Sequence, residues 1–543
     1  MGRNDSPAGV AREHTGGAAT ANEEAADAPR PVTSRFARAS HAVALGGLIL
    51  FGFVAPGSIA AAWIAISVAV CGWIARTIAT RRTHFRRGPL DLPLWLLFGW
   101  TAVSALFSAE PAISLARLPS AATFLFFYFA QSIPRTRREV GWVAFAVIAG
   151  ASACALWGVG ELARGRGVVI ERIADDSPLR GTTELQPGDC VWMVNDRRVR
   201  SVAEIDEAIR KLQTDERLRL AVIARGEHVE RKGPLVTESI KSAASPSGLA
   251  GTRPTRRFRA SGWTRHYVTF AETAQIAAQL ALGFALARWR RGPRRASRRS
   301  TLLFLAAFAL LACGVALTAM RTALVSLAIG ALVVAWRATG SAGARAEAET
   351  TVGAEAAPPP GRARRGVGWV RAAVMAVVVC ALALGAFAVW HTRAEGAILL
   401  RDDSSRLRLA IARAAAARVA ARPLVGHGVD AVHRHWREWG FPGDTIVHTH
   451  STPLQLAFER GLPALLFWLW LLAAFWLALS RAERLFRASH DAAAHGLLLG
   501  AAGAFAGFCA SSLVNYNFGD AEVALLLWWL MGSVVALTRA VSD

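Results

Sequence analysis

The chain has 543 residues, 53% of them hydrophobic, a mean hydropathy of +0.32, and a formal net charge of +23 from 62 Lys+Arg against 39 Asp+Glu. So apolar a chain does not fit a soluble basic nucleic-acid binder; it points to a bilayer protein whose basic residues are sorted into loops on one side. The cysteines (Cys71, Cys154, Cys190, Cys313, Cys380 and Cys509) form no CxxC, so neither a disulfide framework nor a zinc site is suggested.

In chain order, residues 1–40 are polar and rich in Ala, Gly and charge, and read as a disordered cytoplasmic tail without the form of a signal peptide. Twelve apolar runs follow, at about 41–55, 58–78, 90–108, 113–133, 139–161, 266–287, 301–319, 321–336, 368–391, 453–479, 495–514 and 521–538. Each is of the order of the roughly 20 residues that span a bilayer as a helix. Arginines crowd the exit of every even-numbered run: Arg81 and Arg86 after the second, Arg137 after the fourth, Arg288 and Arg294 after the sixth, Arg337 and Arg364 after the eighth, Arg484 after the tenth. The positive-inside rule then places these loops and both termini in the cytoplasm of a multi-pass inner-membrane protein. Because the Arg clusters alternate with spans instead of forming one patch, nucleic acid is not an expected partner.

The expected fold is therefore an all-α polytopic membrane protein of about 12 transmembrane helices: helices 1–5 in 41–161, helices 6–9 in 266–391 and helices 10–12 in 453–543. Residues 301–336 test the assignment. As one helix they would be about 54 Å long against a hydrocarbon core of about 30 Å. Both flanks are Arg-rich, so the run must be two short spans with a tight turn near Met320-Arg321. Arg321 then sits on the outer side, where charge sorting disfavours it.

Two long segments remain outside, 162–265 and 392–452. In the first, residues 166–235 turn polar and strand-like, with a turn at Gly188-Asp189, a hairpin at Asn195-Asp196 and a helix at 201–212. Ser177-Pro178, Gln186-Pro187-Gly188-Asp189 and Val194-Asn195-Asp196, in that order, resemble a bacterial PDZ domain. The resemblance implies a small α/β periplasmic domain inserted between spans, binding a peptide or protein by strand addition; a domain that only packs on the membrane part is the alternative. Residues 236–265 read as a linker. A PDZ-like domain among spans raises the possibility of an intramembrane metalloprotease, but no HExxH occurs, and the cluster from His433 to Glu438 has the wrong spacing for it.

The second segment, 392–452, reads as a periplasmic catalytic loop. Ser405-Arg406, the stretch from Arg422 to Gly428, His448-Thr449-His450-Ser451 and Leu454-Gln455 with Glu459-Arg460-Gly461 resemble the O-antigen ligase and polymerase family of membrane glycosyltransferases. That family usually carries Asn where Ser451 stands and a small or aliphatic residue where His427 stands. Arg259 to Gly262, Arg265-His266-Tyr267, Met320-Arg321-Thr322-Ala323 and the stretch from Asn515 to Asp520 extend the resemblance. It implies an enzyme that takes a glycan from an undecaprenyl-diphosphate carrier and passes it to an acceptor hydroxyl, with no metal, nucleotide or other cofactor.

Residue chemistry agrees independently. A diphosphate leaving group calls for Arg forks, and an acceptor hydroxyl calls for a base such as His. On this reading Arg321 and Arg406 hold the diphosphate and His450 activates the acceptor, with His448, His266, Arg265 and Glu459 supporting or binding substrate. Competing roles stand beside these: a structural ion pair for Arg321, loop packing for His448, and an ion pair with Arg460 for Glu459. Arg408, Arg418 and Arg422 read as solvated or headgroup contacts, His433 and His435 as surface residues. Glu272, Gln275 and Gln279, inside a span, read as helix–helix hydrogen bonders. The mechanism expected is direct, inverting displacement at the anomeric carbon. Ligation to a lipid core, glycan polymerisation and protein O-glycosylation all fit the same fold. A non-catalytic envelope transporter or PDZ-recruited scaffold is the alternative from another class, and it leaves the Arg and His cluster unexplained.

Overall fold

The computed structural model describes residues 35–539 apart from 83–84, 86, 225–226, 252, 257, 265, 290–294, 352–374, 391–402, 444–447, 488 and 490. It is mostly helical. Five helical stretches come first: α1 Arg35–Val54, α2 Ile59–Thr80, α3 Asp91–Leu106, α4 Pro111–Ala121 continued through a 3-10 turn by α5 Leu125–Ser132, and α6 Arg137–Arg164. The stretch read as a tail thus gives way to helix at Arg35. After an α/β insertion come α9 Tyr267–Trp289, α10 Arg295–Leu317, α11 Arg321–Thr351, α12 Met375–Trp390, α13 Asp403–Ala421, α14 Val432–His435, α15 Thr452–Arg487, α16 Ala492–Ser512 and α17 Ala521–Arg539.

Each of the twelve apolar runs, where it lies among the described residues, falls on a helix. Ten helical stretches among the described residues are long and apolar enough to cross a membrane; α3 and α12 are apolar but shorter. The chain is a multi-pass membrane protein. The run 301–336 divides as expected: α10 ends at Leu317, Ala319 turns with φ 51°, and α11 starts at Arg321. The Thr318 hydroxyl donates to the Val315 carbonyl (2.6 Å) and accepts from the Met320 amide (3.2 Å), so the turn supplies its own polar partners.

The central helix is α9, buried along its whole apolar window. Its widest interface is with α16, where Gly283 faces Gly496 and Gly500 and no Cβ would fit between the backbones. Its polar residues act as helix–helix glue: the Ser511 hydroxyl donates to Glu272, and Gln279 Nε2 donates to the Leu327 carbonyl at 2.8 Å. Contacts between connections define two ends. At one end the Ala260 amide reaches the Leu317 carbonyl (3.0 Å), the Ala109 amide reaches His427 (3.0 Å) and Thr269 bonds Asp520 (2.5 Å). At the other, Arg337 pairs with Glu483 and Arg76 donates to the Ile133 carbonyl (3.4 Å).

The insertion leaves α6 at the first of these ends. Its strands are β1 Val168–Val169, β2 Arg172–Ile173, β3 Cys190–Val194, β4 Arg197–Arg198, β5 Arg217–Ala224, β6 Glu227–Leu235 and β7 Leu249–Ala250, with helices α7 Val202–Arg210 and α8 Glu238–Ser242. The main sheet runs β1-β3-β5-β6, all antiparallel, with β4 paired to β3. Asn195 and Asp196 both adopt positive φ (39° and 69°), as a two-residue hairpin turn requires. The domain has its own core, in which Ile205 and Ile209 of α7 meet Val191, Leu220 and Val222. The segment read as a linker carries α8 and β7, and β7 pairs with β2 through Arg172 and Ala250. Arg166 fastens the domain to α6: it is ion-paired with Glu161 and lies over Trp192 (4.7 Å) and Phe258 (4.5 Å).

Candidate functional site

The site grows from a break in a helix. α15 is interrupted at Gly461 (φ 81°), two residues before Pro463, which frees carbonyls upstream of the break. A bare carbonyl at membrane depth is costly unless protein satisfies it. The stretch from Pro423 to Gly428 does so: the His427 amide donates to Phe458 (2.9 Å), the Gly428 amide to Glu459 (2.8 Å), and the Leu462 amide to Pro423 (2.7 Å). Gly426 (φ 68°) lies directly on the Glu459–Arg460 backbone, where a Cβ would collide. Ser104 locks the loop to α3 through the Val425 carbonyl at 2.7 Å.

His427 takes a packing role. It is buried, stacked on Phe458 (5.1 Å) and against Trp439 (4.7 Å), with Nε2 3.0 Å from the Arg418 carbonyl. Burial holds its pKa below the ordinary value. The side chain thus occupies the aromatic cluster under α13 that includes Trp436 and Phe441.

The ring of His450 stands 4.4 Å from that of His448, and the His450 amide contacts His448 Nδ1 at 3.3 Å. His450 has φ 56°, a left-handed conformation that costs a non-glycine residue about 1–2 kcal/mol. The loop is held from below. Gln455, wholly buried, accepts from the Thr449 amide (2.7 Å) and donates to Glu459 Oε1 (2.9 Å), which also accepts from the Asp430 amide (3.1 Å). Glu459 therefore acts on the histidine loop through Gln455, while its other oxygen lies 3.7 Å from Arg460. Ser451 accepts from the Leu454 amide at 3.5 Å, the capping bond an Asn would also make at the start of α15.

Around this loop the remaining elements converge. Arg408 of α13 donates to the Val514 carbonyl (3.3 Å), and Tyr516 lies 5.9 Å from His448, ring to ring. Arg321, first residue of α11, donates to the Ser405 hydroxyl at 3.3 Å. Beside it, Thr322 accepts from Asn515 Nδ2 (2.9 Å), and the Asn515 carbonyl receives the Thr452 amide (3.1 Å). Thr452 also bonds Asn517 (3.1 Å), which Ser512 holds at 2.8 Å. Arg321 and the histidine loop thus lie on one hydrogen-bonded frame. His266 stacks on Tyr267 (4.6 Å), and Arg259 lies over the same Tyr267 ring (4.4 Å).

The electrostatics are one-sided. Burial, the Arg408 charge and His266 push His448 down to about 4. Burial, His448 and Arg408 push His450 down to about 3. His266 is also lowered, by desolvation and by Arg259. All three imidazoles are neutral near pH 7 and can accept a proton or a hydrogen bond.

Of the predicted residues, the fold joins His448, His450 and His266, ties Glu459 to them through Gln455, and brings Arg321 to the start of α13. Arg406, next to Ser405 on α13, is exposed. Arg265 and Arg401 lie outside the described residues. Tyr516 carries no sequence signal beyond its place between Asn515 and Asn517. Arg408 touches the site instead of standing free, because α13 packs across α15 and brings it over Val514. Among the described residues no group of three His, Cys, Asp or Glu could hold a metal ion.

No curated protein matches the chain. Residues 306–469 match the family model described as O-antigen ligase, a stretch that includes Arg321, Arg406, Arg408, His448, His450 and Glu459. At family level, that match supports a membrane glycan ligase or polymerase.

Proposed function

We propose that the protein transfers a glycan from an undecaprenyl-diphosphate carrier to an acceptor hydroxyl at the periplasmic face of the inner membrane. The observation that carries this reading is the neutral His448–His450 pair set beside Arg408, on the frame that also holds Arg321. A diphosphate leaving group is dianionic or more, and Arg321, Arg406 and Arg408 offer forks for it. His450 takes the acceptor proton as the hydroxyl displaces the diphosphate at the anomeric carbon, with inversion.

An imidazole pushed down to about 3 is a weak base on its own. Burial is the largest cause of that lowering, followed by His448 and Arg408, so an anion seated against Arg408 offsets only the last of the three. His448 packs against the His450 ring, and Glu459 with Gln455 holds the strained loop. The α/β domain, whose antiparallel sheet and crossing α7 suit a PDZ-like peptide binder, stands at the same end and favours a protein partner or protein acceptor beside the lipid or glycan acceptors of ligases and polymerases.

The test is reconstitution of the full chain with lipid-linked glycan and candidate acceptors. Transfer that is lost in His450→Ala, with normal folding, supports the reading; full transfer by that variant removes it. Donor that accumulates in cells while polymer length is unchanged identifies ligation over polymerisation.

A further inference from the structure

Part of the stretch read as a linker lies in a groove of the inserted domain. One edge of the stretch that carries β1 and β2 pairs with β3 through Val168 and Val169. Along its other edge the backbone bonds run to residues beyond α8. The Ala174 amide donates to the Gly248 carbonyl (2.8 Å), Glu171 to Ala250 (2.8 Å), Val169 to Arg253 (2.9 Å) and Arg166 to Thr255 (2.8 Å). The facing wall is α7. Its buried Asp206 accepts from the Ser247 amide (2.9 Å), the Ser247 hydroxyl (2.5 Å) and the Ser245 hydroxyl (3.1 Å), and Arg210 donates to the Ala244 carbonyl (3.0 Å). From the β2 side the Ser177 hydroxyl donates to the Ser247 carbonyl (2.6 Å). Ser247 and Leu249 are buried and Ala250 is exposed, while Gly248 (φ 60°) passes so close to Ser177 that no Cβ fits. That is the pattern of an extended peptide added to a sheet edge: main-chain bonds along the edge, alternate side chains in pockets. From Ala243 to Gly251 every residue except Leu249 is Ser, Ala, Gly or Pro, types with little strand tendency of their own. The groove therefore imposes the strand. Leu249 joins a core that Val191, Ile205, Ile209, Leu220 and Val222 already form without it.

We infer that the space between the β1–β2 edge and α7 is a strand-addition site for an extended peptide carrying Ser-Gly-Leu, and that residues 245–251 occupy it as a tethered ligand. Asp206 and Ser177 read the serine, the close approach at Ser177 requires the glycine, and the domain core takes the leucine. The site is thus closed in cis, and a partner in trans must displace the segment. A ligand tethered by a short connection competes at an effective concentration of about millimolar, so the apparent affinity for a partner falls by the fraction of time the groove stands open. The inference concerns the inserted domain and is independent of glycan transfer.

The experiment is fluorescence polarisation of a labelled synthetic peptide, with the sequence of residues 243–255, on the full chain in neutral detergent. Leu249→Asp and, separately, Gly248→Val eject the tethered segment and leave the groove walls as they are. Each should bind the peptide at least about tenfold more tightly than the wild type. Asp206→Ala added to either variant should remove that gain, and a peptide with Ala in place of its Ser247 and Leu249 equivalents should not bind. Amide hydrogen exchange on the wild type reads the same opening without any substitution. The amides of Val169, Glu171 and Ala174 should exchange at least about tenfold faster than those of β3 and β5, because they are freed whenever the segment leaves. Peptide binding by the wild type as tight as by the ejected variants would overturn the inference. So would the lack of a gain in both variants while the β3 and β5 amides stay protected. Exchange of Val169, Glu171 and Ala174 at the rate of β3 and β5 would also overturn it, since the segment would then be a fixed strand that opens only with the whole domain.

Discussion

Two histidine regions on neighbouring stretches of chain meet opposite surroundings. His435 lies between Glu110 (2.9 Å) and Glu438 (2.6 Å) and stacks on Trp439, and those hydrogen bonds raise its pKa. Among the described residues neither His448 nor His450 pairs with a carboxylate; burial and Arg408 lower theirs. The first is built to carry charge and pin α14 to the α3–α4 turn. The second is built to stay neutral. The residue type is the same, and the neighbours decide the chemistry.

The comparison breaks most visibly by deletion. His450→Ala should lower transfer by about 10²–10⁴-fold in the reconstituted assay, the usual contribution of a general base, while the protein stays folded; retention of wild-type turnover would assign the base elsewhere. Arg321→Ala should cost about 100-fold, and Arg321→Lys should recover only part, because a point charge replaces a fork. Gln455→Ala should lower kcat about tenfold with little change in KM, since it loosens the loop without touching substrate.

Smaller changes sharpen the contrast. Removing the positive neighbour in Arg408→Gln should let His448 and His450 bind protons more readily. The acidic limb of the pH–rate profile should then move to higher pH, by up to about one unit; a limb that stays put would mean Arg408 does not act on the pair. His435→Asn should leave transfer intact and lower Tm by no more than about 2 °C. Because the His435 pKa is raised by folding, its stabilisation is complete below about pH 6.5 and fades as pH rises past the folded value. The variant should therefore differ from wild type at pH 5.5 and converge with it at pH 8. The His448–His450 pair has the opposite sign. Below about pH 6.5 the unfolded chain binds protons that the folded pair refuses down to about 4 and 3, so the pair contributes acid lability.

Much of this was legible locally. Hydropathy marks the helices, and charge and length together force the turn before Arg321, because a 36-residue helix does not fit a bilayer. The His-Thr-His loop and Glu459 also stand out, through motif order. The break at Gly461 was harder to read, since Gly and Pro inside a long apolar run look like an ordinary span until the stretch from Pro423 to Gly428 is seen to satisfy the freed backbone groups.

By itself, then, the sequence determined which segments enter the membrane and which side chains could hold a diphosphate or move a proton. Periodicity and hydrophobicity act over neighbouring residues, so they survive without coordinates. Only the tertiary structure decided that Arg408 and Tyr516 stand at the histidines and that Glu459 works through Gln455. Those outcomes depend on groups far apart in the chain, and a charge or a desolvated ring takes its properties from whatever the fold places a few ångströms away.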